Sequence, residues 1–155
     1  MLEIRDLSVA VGSRQILHGV NLDTLGRRDP AMYGSFTLAE LETQITRWAR
    51  DLGLLTTFFQ TNHEGEFIEY LHQLPQLADA AVINAGAWTH YSWAIRDALE
   101  VAAVPSVEVH ISDVESREEW RSVSVFDGLV LEKISGEGEA GYRRALELLK
   151  RELDV

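Results

Sequence analysis

The chain reads as an α/β domain on a doubly wound parallel sheet, and three observations carry that reading. Short apolar runs recur at residues 15–20, 54–59, 80–83 and 106–111. Between them lie stretches whose apolar residues repeat at helical spacing. Strands alternating with helices in this way need crossover connections, which give a parallel sheet covered on both faces. With 155 residues, 46% of them hydrophobic and 25% charged, the chain is long enough for one domain with a proper core.

Residues 15–20 read as the first strand, followed by a glycine- and arginine-rich loop to about residue 36. In that loop Gly26, Pro30 and Gly34 work against a regular helix or strand. Thr37-Leu38-Ala39-Glu40 has the form of a capping box. Leu38, Leu41, Ile45, Trp48 and Leu52 then fall on one helical face, with Gly53 at the expected stop. Residues 54–59 read as the second strand. After the turn Thr61-Asn62-His63, residues 64–74 read as a helix with Phe67, Ile68, Leu71 and Leu74 inward. Residues 80–83 read as a buried strand ending at Asn84-Ala85-Gly86, residues 90–102 as a helix and residues 106–111 as a fourth strand. A fifth strand is expected at 129–131, before Gly136 and Gly138. The last helix is expected over about 139–152, with Tyr142, Ala145, Leu146, Leu149 and Leu153 on one side.

Residues 1–14 do not fit the alternation and are treated as an N-terminal extension, with 15–155 as a single domain. Together with residues 15–22 they resemble the opening strands of ABC-type ATPase domains. The Gly-x-x-x-x-Gly-Lys-Ser/Thr loop that those proteins need is not in this chain.

Composition narrows the function. The absence of cysteine excludes a disulfide framework and thiolate metal sites, and fits a reducing cytoplasm. No run approaches the roughly 18–20 apolar residues that cross a bilayer, and Met1 to Asp6 lacks the basic start and apolar core of a secretory leader. A formal charge of −11 disfavours nucleic acid and anionic membrane as partners. An anionic small molecule must then be drawn by a local cationic cluster, and Arg27, Arg28, Arg117 and Arg121 are the candidates.

In doubly wound sheets ligands bind beyond the carboxyl ends of the strands, which points to Asn21, Asn84 and the segment from His110 to Ser112. The loop Leu25-Gly26-Arg27-Arg28-Asp29-Pro30-Ala31-Met32-Tyr33-Gly34 adds two guanidiniums near a tyrosine. A phenol with a reference pKa of about 10 serves as a base near neutrality only if a fixed positive charge stabilises its phenolate. Glu108 lies two residues before His110, so on a strand both side chains share a face. A carboxylate there raises an imidazole's pKa and fixes its tautomer.

Each feature also has a plainer reading. Tyr33 alone covers the core from a turn, His110 alone is a satisfied core histidine, and His90 alone caps a helix. His63 and Glu64 read as a turn and a helix start, without a second histidine at ligand spacing. The four tryptophans read as core, interface or pocket wall. Arg117, among Glu115, Glu118 and Glu119, reads as a structural ion-pair former and is left out of the candidate site.

Taken together, four segments resemble the type II 3-dehydroquinate dehydratases. They are Gly19-Val20-Asn21-Leu22 with Arg28 and Tyr33; Asn84-Ala85-Gly86-Ala87-Trp88-Thr89-His90; Glu108-Val109-His110-Ile111-Ser112; and Arg117-Glu118-Glu119-Trp120-Arg121. The resemblance spans roughly residues 16–150, with Gln60 to Glu66 and Arg96 to Leu99 also in the family's style. The departures are His18 and Val20 where the family more often has Asn and Pro, Ala85 where Pro is common, and Asp113 where Asn is usual.

The resemblance implies a flavodoxin-like, five-stranded parallel sheet with flanking helices. It also implies dehydration of 3-dehydroquinate to 3-dehydroshikimate by trans elimination through an enolate, in the shikimate pathway. By it Tyr33 is the base, Arg28 supports its phenolate, Asn21 stabilises the enolate through a water, and His110, backed by Glu108, protonates the leaving hydroxyl. Asn84 and the amides of Ile111 and Ser112 receive the substrate carboxylate. His90, Arg121 and Asp97 hold the ring hydroxyls, Asp97 from a neighbouring subunit. No metal or organic cofactor is called for, and the assembly implied is a trimer-based dodecamer. The alternative is a non-catalytic module of the same architecture that binds a small anion. The two differ in whether the scattered polar residues form an acid–base set.

Overall fold

The computed structural model describes residues 12–153. Five strands, β1 Ser13–His18, β2 Leu55–Gln60, β3 Ala80–Asn84, β4 Ser106–His110 and β5 Lys133–Ser135, form one sheet in the order β2-β1-β3-β4-β5. Every neighbouring pair is parallel. Five α-helices accompany it: α1 Pro30–Tyr33, α2 Leu38–Asp51, α3 Glu64–Leu77, α4 Trp93–Ala102 and α5 Ala140–Leu153.

Alternation along the strands divides the core into two layers. Ile16, Val82, Val107 and Val109 pack with Leu41, Ile45 and Ala49 of α2 and with Tyr142, Ala145, Leu146 and Leu149 of α5. Leu17, Ala81 and Ile83 pack on the opposite face with Phe67, Leu71 and Leu74 of α3 and Ile95, Ala98 and Leu99 of α4. Each fully buried leucine, isoleucine or phenylalanine contributes roughly 1.5–3 kcal/mol by leaving water. The expected capping box forms: Glu40 N–H donates to Thr37 Oγ1 and Thr37 N–H to Glu40 Oε2, each at 3.2 Å.

The chain leaves β1 toward β2 on one side and enters β3 on the other, so the order reverses between β1 and β3. His18 and Asn84 are register partners at that reversal. The crevice at the strands' carboxyl ends therefore opens where the sheet topology expects a ligand.

Four expected boundaries shift. Strand β1 begins at Ser13, because Ser13 and Arg14 pair with Leu55 and Thr56; residues 1–11 of the expected extension lie outside the described residues. A single helical turn, α1, forms in the loop. Pro30 occupies its first position, where a missing N–H costs nothing, and Asp29 Oδ1 accepts the N–H of Ala31 at 3.0 Å. Residues 86–90 make a 3-10 turn, and α4 starts only at Trp93, where Ser92 Oγ accepts the N–H of Ile95 at 3.2 Å. The fifth strand lies at 133–135, not at 129–131. The N–H groups of Leu129 and Val130 both turn back to the Phe126 carbonyl, around Gly128 at φ +83°.

Candidate active site

Two glycines bring the ends of β1 and β3 together. Gly19 N–H donates to the Asn84 carbonyl at 2.8 Å, and a Cβ on Gly19 would lie 2.5 Å from the Ala85 carbonyl oxygen. Gly86 has φ +63°, and a Cβ there would lie 2.6 Å from the Val20 carbonyl oxygen. Backbones this close set the spacing between Asn21 and Asn84. Asn21 itself is left-handed at φ 70° and opens the 3-10 turn at Leu22–Thr24. Its N–H donates to Asn62 Oδ1 at 2.8 Å. Asn84, almost fully buried, accepts the Gly86 N–H on Oδ1 at 3.2 Å and donates from Nδ2 to Tyr142 Oη at 3.0 Å.

The loop from Leu25 folds over this crevice, anchored by buried Leu22 and Leu25. Arg28 Nη2 donates to Tyr33 Oη at 2.9 Å, and its guanidinium carbon lies 3.8 Å from the ring centroid. Arg27 is exposed. Arg117, which the sequence reading set aside as structural, donates from Nη1 to Tyr33 Oη at 2.7 Å and to Ser112 Oγ at 3.1 Å. It does so because Val114–Ser116 and Glu119–Ser122 are short 3-10 turns, not a continuous helix. Arg117 sits between them and points inward. Its closest approach to Glu118 is only 3.8 Å. The phenol oxygen thus receives two guanidinium donors, one from its own loop and one from a residue 84 positions further along the chain. Both are donors carrying a full positive charge.

Across the cleft, His110 Nε2 lies 2.5 Å from Glu108 Oε2. Glu108 is fully buried and also accepts the hydroxyls of Thr89, on Oε2, and Ser124, on Oε1 at 2.7 Å. Burial alone would raise its pKa. The hydrogen bond and charge of His110, with those two hydroxyls, outweigh burial and hold it below the ordinary carboxylate value. The carboxylate therefore stays ionised behind the imidazole. Thr89 stands in the quoted Thr-His motif but was given no role there, and Ser124 carries no sequence signal at all.

His90 completes the wall. Its Nδ1 lies 2.7 Å from the Val123 carbonyl oxygen, which accepts the Nδ1–H and leaves Nε2 as an acceptor. Burial lowers its pKa, the positive charges of His110 and Arg121 add to this, and the Val123 carbonyl and Glu108 oppose it. His90 is therefore neutral near pH 7. Arg121 lines the same wall, held by Glu118 Oε2 at 2.5 Å.

The cleft has a cavity volume of about 110 Å³ and is lined by Asn21, Arg28, Tyr33, Asn84, His90, His110, Ile111, Ser112, Arg117 and Arg121. Glu108 lies behind His110, and Asp97 is exposed on α4 outside the lining. Among the described residues three guanidiniums and two imidazoles face the cavity and no carboxylate lines it, in a chain of net charge −11. This is the local cationic site that an anionic ligand requires. No group of three or more His, Asp or Glu among the described residues is placed to hold a metal ion.

Comparison with known proteins agrees with the geometry. The family model described as dehydroquinase class II matches residues 13–150. The 3-dehydroquinate dehydratase of Syntrophotalea carbinolica is 49% identical over 132 residues, covering 84% of this chain and 89% of the relative. That of Thermotoga maritima is 48% identical over 139 residues, covering 90% and 95%. The crystal structure of the type II dehydroquinase from Propionibacterium acnes superposes with a TM-score of 0.86 at 39% identity, over 90% of this chain and 97% of that one.

Proposed function

This chain belongs to the class II dehydroquinase family, and from that membership and the cleft we propose how it works as a hydro-lyase that dehydrates 3-dehydroquinate to 3-dehydroshikimate. The observation that carries the reading is one cleft holding Tyr33 beneath two guanidiniums and His110 backed by an ionised Glu108. A module that only binds an anion needs neither half of this acid–base set.

The Tyr33 phenolate removes the proton from the carbon between the ketone and the hydroxyl-bearing carbon. Arg28 and Arg117 stabilise the phenolate before transfer. The enolate oxygen takes its hydrogen bond from a water that Asn21 orients. His110, as imidazolium, gives its proton to the departing hydroxyl while the carbon–oxygen bond breaks, and water leaves. Proton exchange then returns Tyr33 and His110 to their starting states. Asn84 and the amides of Ile111 and Ser112 hold the substrate carboxylate. His90 Nε2 accepts a ring hydroxyl, and Arg121 donates to another. Asp97 is supplied by a neighbouring copy within a trimer-based dodecamer. We place the reaction in the cytoplasm, with activity in the soluble cell fraction as the check. Among the described residues no helix is long and apolar enough to cross a membrane.

The test is turnover of 3-dehydroquinate by the purified assembly, followed by ultraviolet absorbance of the conjugated enone. Expected are product from the wild type and a loss of roughly 10²–10⁴-fold in kcat for Tyr33→Phe. No product from the wild type overturns the function; an unimpaired Tyr33→Phe overturns the mechanism alone.

A further inference from the structure

Behind the carboxylate-binding end of the cleft lies a buried polar chain that the mechanism above does not use. Tyr142 on α5 and His18 at the end of β1 are each fully buried. Tyr142 Oη lies 3.0 Å from Asn84 Nδ2 and 3.0 Å from His18 Nε2. The rings meet edge to face, with centroids 5.6 Å apart.

The hydrogens can be assigned. An amide nitrogen only donates, so the phenol oxygen accepts from Asn84. Its own hydrogen then has His18 Nε2 as the acceptor within reach, which places the imidazole proton on Nδ1. Nδ1 has no hydrogen-bond partner among the described residues. The opposite tautomer would leave both Nδ1 and the phenolic hydrogen without partners, so it is the worse arrangement. Burial keeps both groups in these roles: His18 is held down to about 3 and so remains an acceptor, while the Tyr142 phenol is pushed up and keeps its proton.

Resting on the function above, we propose that Tyr142 and His18 are positioning residues for Asn84. With Oδ1 fixed by the Gly86 N–H and one Nδ2–H taken by Tyr142, the carboxamide has one N–H left for the cleft it lines. That orientation offers a donor to the substrate carboxylate. A rotated amide would present its oxygen and repel it. His18 acts one step further back: its Nε2, an acceptor, aims the Tyr142 hydrogen away from Asn84, so the phenol oxygen presents its lone pairs to the amide.

The experiment is a double-mutant cycle of Tyr142→Phe and His18→Phe, with both rings kept, read in kcat, KM and thermal midpoint. Carboxylate binding is shared by the ground and transition states, so the expected effect lies in KM. Tyr142→Phe should raise KM roughly fivefold to tenfold with kcat within about twofold. His18→Phe should act in the same direction, and the double variant should be no worse than Tyr142→Phe alone, as residues acting through one another require. Independent, additive effects, or lowered thermal midpoints with unchanged KM, overturn the proposal. Calorimetric titration with quinate and crystal structures of the variants need no turnover. They should show weaker binding and an Asn84 carboxamide that is rotated or split between two orientations. Unchanged quinate affinity with one unaltered Asn84 orientation overturns the proposal even if the protein turns over 3-dehydroquinate. Failure of the wild type to turn over 3-dehydroquinate overturns the assigned function, and the titration and crystals then judge the positioning role separately.

Discussion

Arg28 and Arg117 converge on a single oxygen, and Arg117 directs both hydrogens of one planar terminal nitrogen, Nη1, to Tyr33 and Ser112. Arg117→Lys keeps the charge but loses the planar donor set, and kcat should fall by roughly 10–100-fold. Arg27→Ala, at an exposed position outside the cleft, should leave kcat and KM within about twofold. Steady-state kinetics of the two variants side by side check both, and an equal effect from each would refute the assignment. Residue by residue, the site was legible where a motif placed a polar group at a strand end: Asn21, Asn84, His110 and Ser112 all line the cleft. Arg117 was missed because flanking glutamates supplied a sufficient local partner on paper. Ser124 was missed because a lone serine in a loop carries no pattern. His18 was noted only as a departure from a family motif, yet its burial has a consequence for stability. Its folded pKa of about 3 lies below the ordinary 6.5, so between those values the unfolded chain takes up a proton that the folded chain refuses. Stability from this group is complete above pH 6.5 and is lost as pH falls toward 3. The loss between pH 6.5 and pH 4 is about 3 kcal/mol. Thermal unfolding at fixed protein concentration across that range should show a steep decline in the wild type and a shallower one in His18→Phe. Parallel slopes would disprove it.

At the scale of elements, the site's width is set by two loops pressed together and not by any side chain that touches substrate. Gly19→Ala forces a methyl carbon against the Ala85 carbonyl at 2.5 Å, a backbone neighbour that cannot swing aside. Separating the ends of β1 and β3 should cost about 1–3 kcal/mol and lower kcat/KM, because Asn21 and Asn84 move apart. Gly65→Ala is the control: its Cβ would meet nothing within 4 Å. Urea midpoints and kcat/KM measured on the pair decide the matter, and equal behaviour would remove close approach as the reason for Gly19. The elements read well where the pattern was clear: α2 and strands β1 to β4 lie within a few residues of expectation. Three of the misreadings share one cause, short-range hydrogen bonds that composition does not reveal. Asp29 turns a glycine–proline loop into the helical turn α1 that carries Tyr33. Ser92 delays α4, with its own hydroxyl donated to Glu64 Oε1 at 2.8 Å. The Phe126 carbonyl draws Leu129 and Val130 into a turn, while Leu131 N–H reaches the Ser106 carbonyl, and the less apolar Lys133–Ser135 completes the sheet.

On the scale of the whole molecule, α4 carries an exposed stripe with no use in a single copy. Trp93 and Val101 are 62% and 73% exposed, and Asp97 stands between them at four-residue spacing, on the same face. Large exposed apolar side chains beside an outward carboxylate suit a self-association surface, and the proposed sharing of Asp97 between copies predicts that it serves a neighbouring cleft lined by no carboxylate among the described residues. Shared sites have a signature that separate sites cannot imitate. Tyr33→Phe and Asp97→Asn should each assemble with little activity. When the two are co-expressed at equal levels and assemble at random, about one quarter of the sites combine an intact Tyr33 from one chain with an intact Asp97 from the next. Activity should therefore reappear at up to roughly a quarter of the wild-type value per site. If Asp97 serves only its own chain, no mixed site is intact and the mixture stays as inactive as its parts. Trp93→Glu tests the surface by the opposite route: size-exclusion with light scattering should report smaller species, and their loss of turnover should accompany dissociation. Full activity in a dissociated species would show that the site is complete within one chain and that Asp97 has no part in it.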